Sequence, residues 1–165
     1  MSSTLTVYTI KWRGPYKDNS LPEAKNNMIY LWTGKTGPKS RVCLPCYCGI
    51  TCRGTTRFGD KDHKKDKILK NFRKCWVGSI VGGKRKTPKG YKNAAFERTE
   101  NLVVYFLKKM GYCSLNERKT AHPRNPVGVF SVFQKTTMEE YRRRPNDILP
   151  LPKILLWNGE KVVVG

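Results

Sequence analysis

The amino-acid sequence predicts an α+β fold, a small antiparallel β-sheet flanked by α-helices. Three observations carry that expectation: two β-rich runs separated by turn residues between positions 28 and 51, an apolar stripe at helical spacing from 60 to 76, and a second such stripe from 94 to 110. Leu5 to Trp12 (LTVYTIKW) alternates small polar with apolar residues and reads as the first strand, followed by a polar Gly/Pro/Asn-rich connection from Gly14 to Asn27. Met28 to Trp32 is β-branched and aromatic, and Gly34 to Ser40 (GKTGPKS) supplies turn chemistry before a third strand at Val42 to Thr51. These two strands are expected to pair as a hairpin.

From Asp60 to Trp76 the apolar positions Ile68, Leu69, Phe72, Cys75 and Trp76 recur at helical spacing, with lysines on the other face. Gly82 to Gly90 (GGKRKTPKG) reads as a loop. A second helix is expected from about Ala94 to Met110, with Phe96, Val103, Phe106, Leu107 and Met110 as its core stripe and Gly111 as its stop. A strand near Val127 to Gln134, a basic turn at Arg142 to Arg144 and a last strand at Ile154 to Val164 complete the chain. The length of 165 residues suits one domain with one core, and neither an internal repeat nor a domain boundary is visible.

The charge balance narrows the partners. Against 12 Asp+Glu stand 33 Lys+Arg, a formal net charge of +21 spread from Lys11 to Lys161. Such self-repulsion is offset when a polyanion is bound, because phosphate contacts release condensed counterions and steer association, so nucleic acid is the expected partner. A ribosomal-type binder and a binder of anionic membranes are the rivals. No segment has the roughly 20 apolar residues needed to span a bilayer. The stretch Met1 to Ile10 also lacks the basic start and apolar run of a secretion signal, so a soluble, cytoplasmic protein is expected. Four of the six cysteines crowd between Cys43 and Cys52, where neighbours on one strand are awkward disulfide partners; reduced thiols are expected.

Side chains alternate across a strand. If Ile29 and Leu31 face the core, Met28, Tyr30 and Trp32 face the other side, which makes Tyr30 available to a ligand. In the partner strand Cys46, Cys48 and Ile50 share one face, and Tyr47 shares the other with Gly49, whose missing side chain would let a phosphate backbone approach.

Met28-Ile29-Tyr30 followed by Tyr47-Cys48-Gly49 resembles the paired strands that name the GIY-YIG nuclease family, with Met28 in place of the first glycine and Cys48 in the middle of the second motif. Arg57, eight residues after Gly49, and then His63 are similar to the family's arginine at the start of its first helix with a histidine close behind. Glu100-Asn101-Leu102-Val103 followed by Leu115-Asn116 resembles its glutamate helix and the leucine-asparagine pair beyond it. The resemblance covers about Met28 to Asn116. It implies a GIY-YIG-like catalytic core there, carrying basic insertions, with the N-terminal strand 5–12 added before it and a short C-terminal extension at 127–165. Without a separate reading domain the chain looks most like the family's small stand-alone restriction endonucleases.

The resemblance implies hydrolysis of phosphodiester bonds in double-stranded DNA with one divalent cation. Glu100 would anchor Mg²⁺ or Mn²⁺ as the metal ligand, and Arg57 would stabilise the pentavalent phosphate with its planar fork of donors. Tyr30 would activate the attacking water with Tyr47 beside it as a hydrogen-bond partner or phosphate contact. His63 would share proton transfer or hold a phosphate; the plain alternative is an exposed histidine at a helix start. Asn116 would orient a water or Glu100, or else only cap a turn. Arg53 competes with Arg57, and the spacing from Gly49 favours Arg57. Palindromic cutting calls for two active sites and hence for a homodimer.

One part of this can be weighed without the resemblance. At about 100° per residue, with Val103 at the centre of the apolar stripe, Glu100 falls about 60° off centre and Glu97 about 120°. Glu100 is thus expected at the edge of the buried face and Glu97 in solvent; the bland reading of Glu100 is an ion pair with a nearby Lys or Arg. Lys84, Arg85, Lys86 and Lys89 in the loop, and Arg142, Arg143 and Arg144 further on, are expected to contact DNA, and arginines are the usual readers of guanine edges.

Two other chemistries remain open. A non-catalytic basic nucleic-acid-binding protein would share the charge but not depend on Glu100. A zinc-stabilised interaction module would use Cys43, Cys46, Cys48 and Cys52, but alternation sends Cys43 away from Cys46 and Cys48, so four thiolates converge on Zn²⁺ only if the strand is broken.

Overall fold

The strand that begins as Leu5 to Trp12 in the sequence runs further and lies deeper than its position near the N-terminus suggests. In the computed structural model, which describes residues 4–17, 27–35, 44–51, 67–68, 73–82, 93–110, 115–134 and 150–165, β1 spans Thr6–Lys17 and sits at the middle of a seven-stranded sheet. Its alternation sends Ile10 and Trp12 into the core while Lys11 and Arg13 face out. The chain continues as β2 (Met28–Gly34), β3 (Leu44–Thr51), β4 (Lys74–Ile80), the helix α1 (Ala94–Lys109), β5 (Val127–Gln134), β6 (Ile154–Trp157) and β7 (Val162–Val164).

The strand order is β3-β2-β4-β1-β5-β6-β7. Neighbours pair antiparallel except β1 with β5, which run parallel from Thr6 opposite Val127 to Arg13 opposite Gln134. A parallel pair needs a long crossover, and α1 lies within the chain that joins the two strands. α1 packs on one face of the sheet, where Phe96, Leu102, Val103, Phe106 and Leu107 meet Ile10, Trp12, Ile29, Leu31 and Trp76. Spacings of three and four residues put that apolar stripe on one side of the helix. Glu97 in its first turn and Lys108 and Lys109 in its last complement the helix dipole. Met110, expected in the stripe, is instead the C-cap residue and is exposed. No helix among the described residues is long and apolar enough to cross a membrane.

β2 is buried at every position because both of its faces are covered. Ile29 and Leu31 belong to the α1 side, and Met28, Tyr30 and Trp32 to a second cluster on the far side with Cys46, Ile68 and Cys75. At the other end of the sheet the far side is open, leaving Val7, Phe130, Ile154 and Val163 exposed.

The expected α+β core of a small sheet flanked by helices is therefore corrected. About half of the described residues lie in strands, in a curled, half-barrel sheet of seven strands with one helix. The helix expected over 60–76 fails at its C-terminal end, since Lys74, Cys75 and Trp76 open β4. The physical reason is the run from Cys75 to Val81 (CWVGSIV), whose β-branched and aromatic residues suit a strand paired on both sides. Gly78 lets that strand lie against its neighbours: a Cβ there would come within 2.8 Å of both Ile10 and Ile29 and 2.9 Å of Trp12. The expected last strand, Ile154 to Val164, is two strands joined by a turn. Asn158 Oδ1 accepts from the backbone N–H of Glu160 and of Lys161, both at 2.9 Å, and Gly159 takes a φ of +102°. β1, β5, β6 and β7 lie in the same sheet as β2, β3 and β4.

Candidate functional site

The hairpin register places Tyr30 opposite Gly49, Leu31 opposite Cys48 and Trp32 opposite Tyr47. Tyr30 and Tyr47 therefore share the face away from α1, with ring centroids 6.0 Å apart and planes inclined at 37°. The expected opening above Gly49 is filled by the phenol of Tyr30 itself, because a Cβ built at Gly49 would collide with the Tyr30 hydroxyl. Tyr30 is fully buried and Tyr47 partly buried, so Tyr47 is the more accessible of the two phenols. Cys46 also departs from simple alternation. The pairing shifts between Trp32 and Thr33, a bulge that turns Cys46 into the far-side cluster while Cys48 stays on the α1 side. Cys46 Sγ lies 3.2 Å from the carbonyl oxygen of Leu44, so Cys46 and Cys48 do not present their sulfurs together. Cys43 and Cys52 lie outside the described residues.

β3 is an edge strand, and its outer side is met by the segment after α1. Leu115 N–H donates to the carbonyl of Cys46 at 2.7 Å. The amide of Asn116 then takes the place of a neighbouring strand: its Nδ2 donates to Cys48 O at 2.8 Å, and its Oδ1 accepts from Cys48 N at 3.1 Å. Asn116 thus fixes the backbone between Tyr47 and Gly49.

Glu100 approaches the same strand from α1. Its side chain is 12% exposed against 33% for Glu97, the order expected from the helical projection. Its carboxylate pairs with the ammonium of Lys119, which also lies 4.0 Å from Glu97. Lys119 adopts a φ of +59°, in the left-handed region that costs a non-glycine residue about 1 kcal/mol. Asn101 holds that turn, its Nδ2 donating to the carbonyls of Lys119 at 3.0 Å and Ala121 at 2.9 Å. Among the described residues no group of three or more His, Cys, Asp and Glu side chains converges on a metal position.

Burial pushes the Cys48 thiol well above its ordinary range; the Glu100 carboxylate adds to the rise, the Lys119 ammonium opposes it, and Cys75 adds further. Below the pKa of an unfolded thiol, about 8.5, folded and unfolded chains both keep the proton. As pH climbs past that value the unfolded chain releases a proton that folded Cys48 retains, so stability falls until the folded pKa is reached. Urea unfolding measured from pH 7 to pH 10 should show this loss, at a limiting slope of about 1.4 kcal/mol per pH unit. Cys48→Ala should lower stability at neutral pH yet flatten the alkaline slope, and an unchanged slope would place the effect elsewhere.

A cleft of about 480 Å³ opens between the first half of α1 and residues 119–127. Arg98, Asn101, Lys119, His122 and Arg124 are among its lining. His122 lies flat against Trp157, with centroids 5.1 Å apart and planes at 21°, and Tyr105 meets both rings edge-on. Trp157 is buried and His122 exposed.

Of the expected site residues, Tyr47, Gly49, Glu100 and Asn116 gather along β3, and Tyr30 joins them through Tyr47. The tyrosine rings and Glu100 lie on opposite sides of the sheet, at its β3 edge. Arg53, Arg57, His63, Lys84, Arg85, Lys86, Lys89, Arg142, Arg143 and Arg144 lie outside the described residues. Sequence reasoning missed Asn101, Lys119 and His122. The proline-framed stretch His122-Pro123-Arg124-Asn125-Pro126 was the available signal, since two prolines there forbid a regular element and leave its basic residues on a connection. Comparison with protein-family models, with curated proteins and with solved structures gave no match.

Proposed function

We propose that the chain is a divalent-metal-dependent endonuclease that hydrolyses phosphodiester bonds in double-stranded DNA, with Glu100 as its acidic residue. The observation that supports this reading best is the meeting of three separate motif pieces: Asn116 hydrogen-bonds the backbone of Cys48, between Tyr47 and Gly49, and the helix that carries Glu100 packs against that same strand. The net charge of +21 supports DNA as the partner.

The donor set suits Mg²⁺ or Mn²⁺. Two carboxylates, Glu100 and Glu97, already share one cation, the ammonium of Lys119, and hard oxygen donors of this kind hold magnesium together with water and substrate phosphate. Glu100 would hold the ion with Glu97 beside it, and the ion supplies charge neutralisation for the leaving oxygen. Arg57 carries a planar fork of donors for the non-bridging phosphate oxygens, which lysine does not reproduce. Tyr47, with Tyr30 packed under it, lies on the opposite face of the sheet from Glu100, so it would reach a phosphate held by the ion only around the β3 edge. Lys119, released from Glu100, becomes a donor for a phosphate oxygen. A dimer would bring two such sites to a palindromic sequence. Cys46, Cys48 and Cys75, buried and held as thiols rather than disulfides, suit a cytoplasmic setting.

A second reading, binding without cleavage, is favoured by one observation: Lys119 already neutralises Glu100. Incubating plasmid DNA with the protein in Mg²⁺ and in chelator separates the two. Discrete fragments in Mg²⁺ alone are the expected result, a smear would mean cleavage without sequence preference, and intact plasmid under Mg²⁺ and Mn²⁺ alike would leave only the binder.

A further inference from the structure

We propose that the cleft between α1 and residues 119–127 is a subsite for an unpaired nucleotide, whose base lies on the open face of the His122 imidazole and whose phosphate lies between Arg98 and Arg124. The inference rests on the nucleic-acid half of the reading above and is independent of cleavage.

The platform comes first. His122 is backed by the buried indole of Trp157, and Tyr105 abuts both rings edge-on, so the imidazole is held in a fixed plane. One face of that plane is covered by Trp157, yet His122 is exposed and lines the cleft, which leaves the other face to a ligand. A flat ring mounted in this way accepts a nucleobase of any identity, because every base has a π-face.

The charges come second. Arg98, Lys119 and Arg124 line the cleft with a single carboxylate, Glu97. Lys119 is engaged by Glu100 and Glu97, whereas neither Arg98 nor Arg124 has an ion-pair partner among the described residues. Two guanidiniums lining the same cleft as an aromatic platform match a phosphate attached to a stacked base. The volume, about 480 Å³, falls in the range of small-ligand sites and excludes a duplex. Because Asn101 and Lys119 border both the cleft and Glu100, a strand seated there would run past the carboxylate.

The test uses the full chain in chelator, where no cleavage occurs, and reads anisotropy of fluorescein-labelled oligonucleotides. The probes are a short oligodeoxyadenylate, an abasic strand of equal length and charge, and a duplex. His122→Ala is expected to weaken oligodeoxyadenylate binding roughly five- to tenfold while leaving the duplex and the abasic strand within twofold. His122→Phe, which keeps a flat ring, should retain most of the affinity. Paired replacement of Arg98 and Arg124 by Ala should weaken both single strands. Equal binding of oligodeoxyadenylate by the wild type and His122→Ala, or of the abasic and intact strands by the wild type, would overturn the subsite. A protein that never cuts plasmid yet shows the His122 effect would sink the nuclease and leave the subsite standing.

Discussion

Glu100→Gln is expected to abolish Mg²⁺-dependent plasmid cleavage, by at least about a hundredfold, and to leave DNA affinity within a few-fold of the wild type. Charge neutralisation by a bound divalent ion contributes several kcal/mol to phosphoryl hydrolysis, and an amide in place of the carboxylate forfeits the hard anionic donor that holds the ion. Affinity for duplex DNA rests on some of the 33 basic residues, none of which the substitution removes. The same change frees the Lys119 ammonium from its nearest carboxylate while Glu97, 4.0 Å away, remains. A small gain in affinity is therefore the direction expected for the variant. Arg57→Ala in the same assay should lose a comparable factor by removing donors to the phosphate. Glu97→Gln is the internal control: its side chain is the more exposed of the pair, and cleavage should fall by less than tenfold. If Glu100→Gln cut plasmid as fast as the wild type, the carboxylate would be no more than the ion-pair partner of Lys119. Cleavage would then rest on other residues, and Glu100 would fall as the metal ligand.

Some local features of the candidate site were legible. Alternation allowed Tyr30 and Tyr47 to share one side of the β2–β3 hairpin, as the register makes them do, and helical projection ranked Glu100 deeper than Glu97. What the sequence hid was set by partners distant along the chain. Cys75 and Trp76 fit a helical stripe as well as a strand until β1 and β2 claim both sides of β4. The parallel pairing of β1 with β5 joins residues more than a hundred positions apart, and no local pattern announces it. Cys46 left the face it was assigned because a bulge is one extra residue, and a bulge inverts every inference from alternation beyond it. Tyr30 was read as open to a ligand from its face alone, but a face can be covered, here by the packing that surrounds Ile68 and Tyr47. Lys119 illustrates the limit most plainly: among 33 basic residues only the fold can say which one reaches a given carboxylate.

Trp12→Ala should be among the most destabilising single changes in the chain, costing about 3–5 kcal/mol. Trp12 is fully buried at the centre of β1, opposite Gly78 on one side and Phe133 on the other. Its ring lies nearly parallel to that of Phe133 with centroids 6.4 Å apart, and Phe133 meets Trp76 edge-on at 5.3 Å. Truncation opens a cavity beneath α1 and also strips a partner from Ser131, a buried hydroxyl that accepts the indole N–H at 3.1 Å. Against a total stability of about 5–15 kcal/mol, such a loss is a large fraction of what holds the fold together. Urea unfolding followed by circular dichroism should show a much lower midpoint with little change in slope. Trp12→Phe, which keeps an aromatic ring and loses only the N–H and part of the volume, should cost less than half as much. Val7→Ala, on the same strand but exposed, should change stability by no more than about 0.5 kcal/mol. The contrast is what makes the experiment decisive, because both residues are apolar, both lie in β1, and only the side of the strand differs. Equal, small effects at positions 12 and 7 would mean that β1 is not the central strand, and that the parallel partnership with β5 is not what joins the two halves of the sheet.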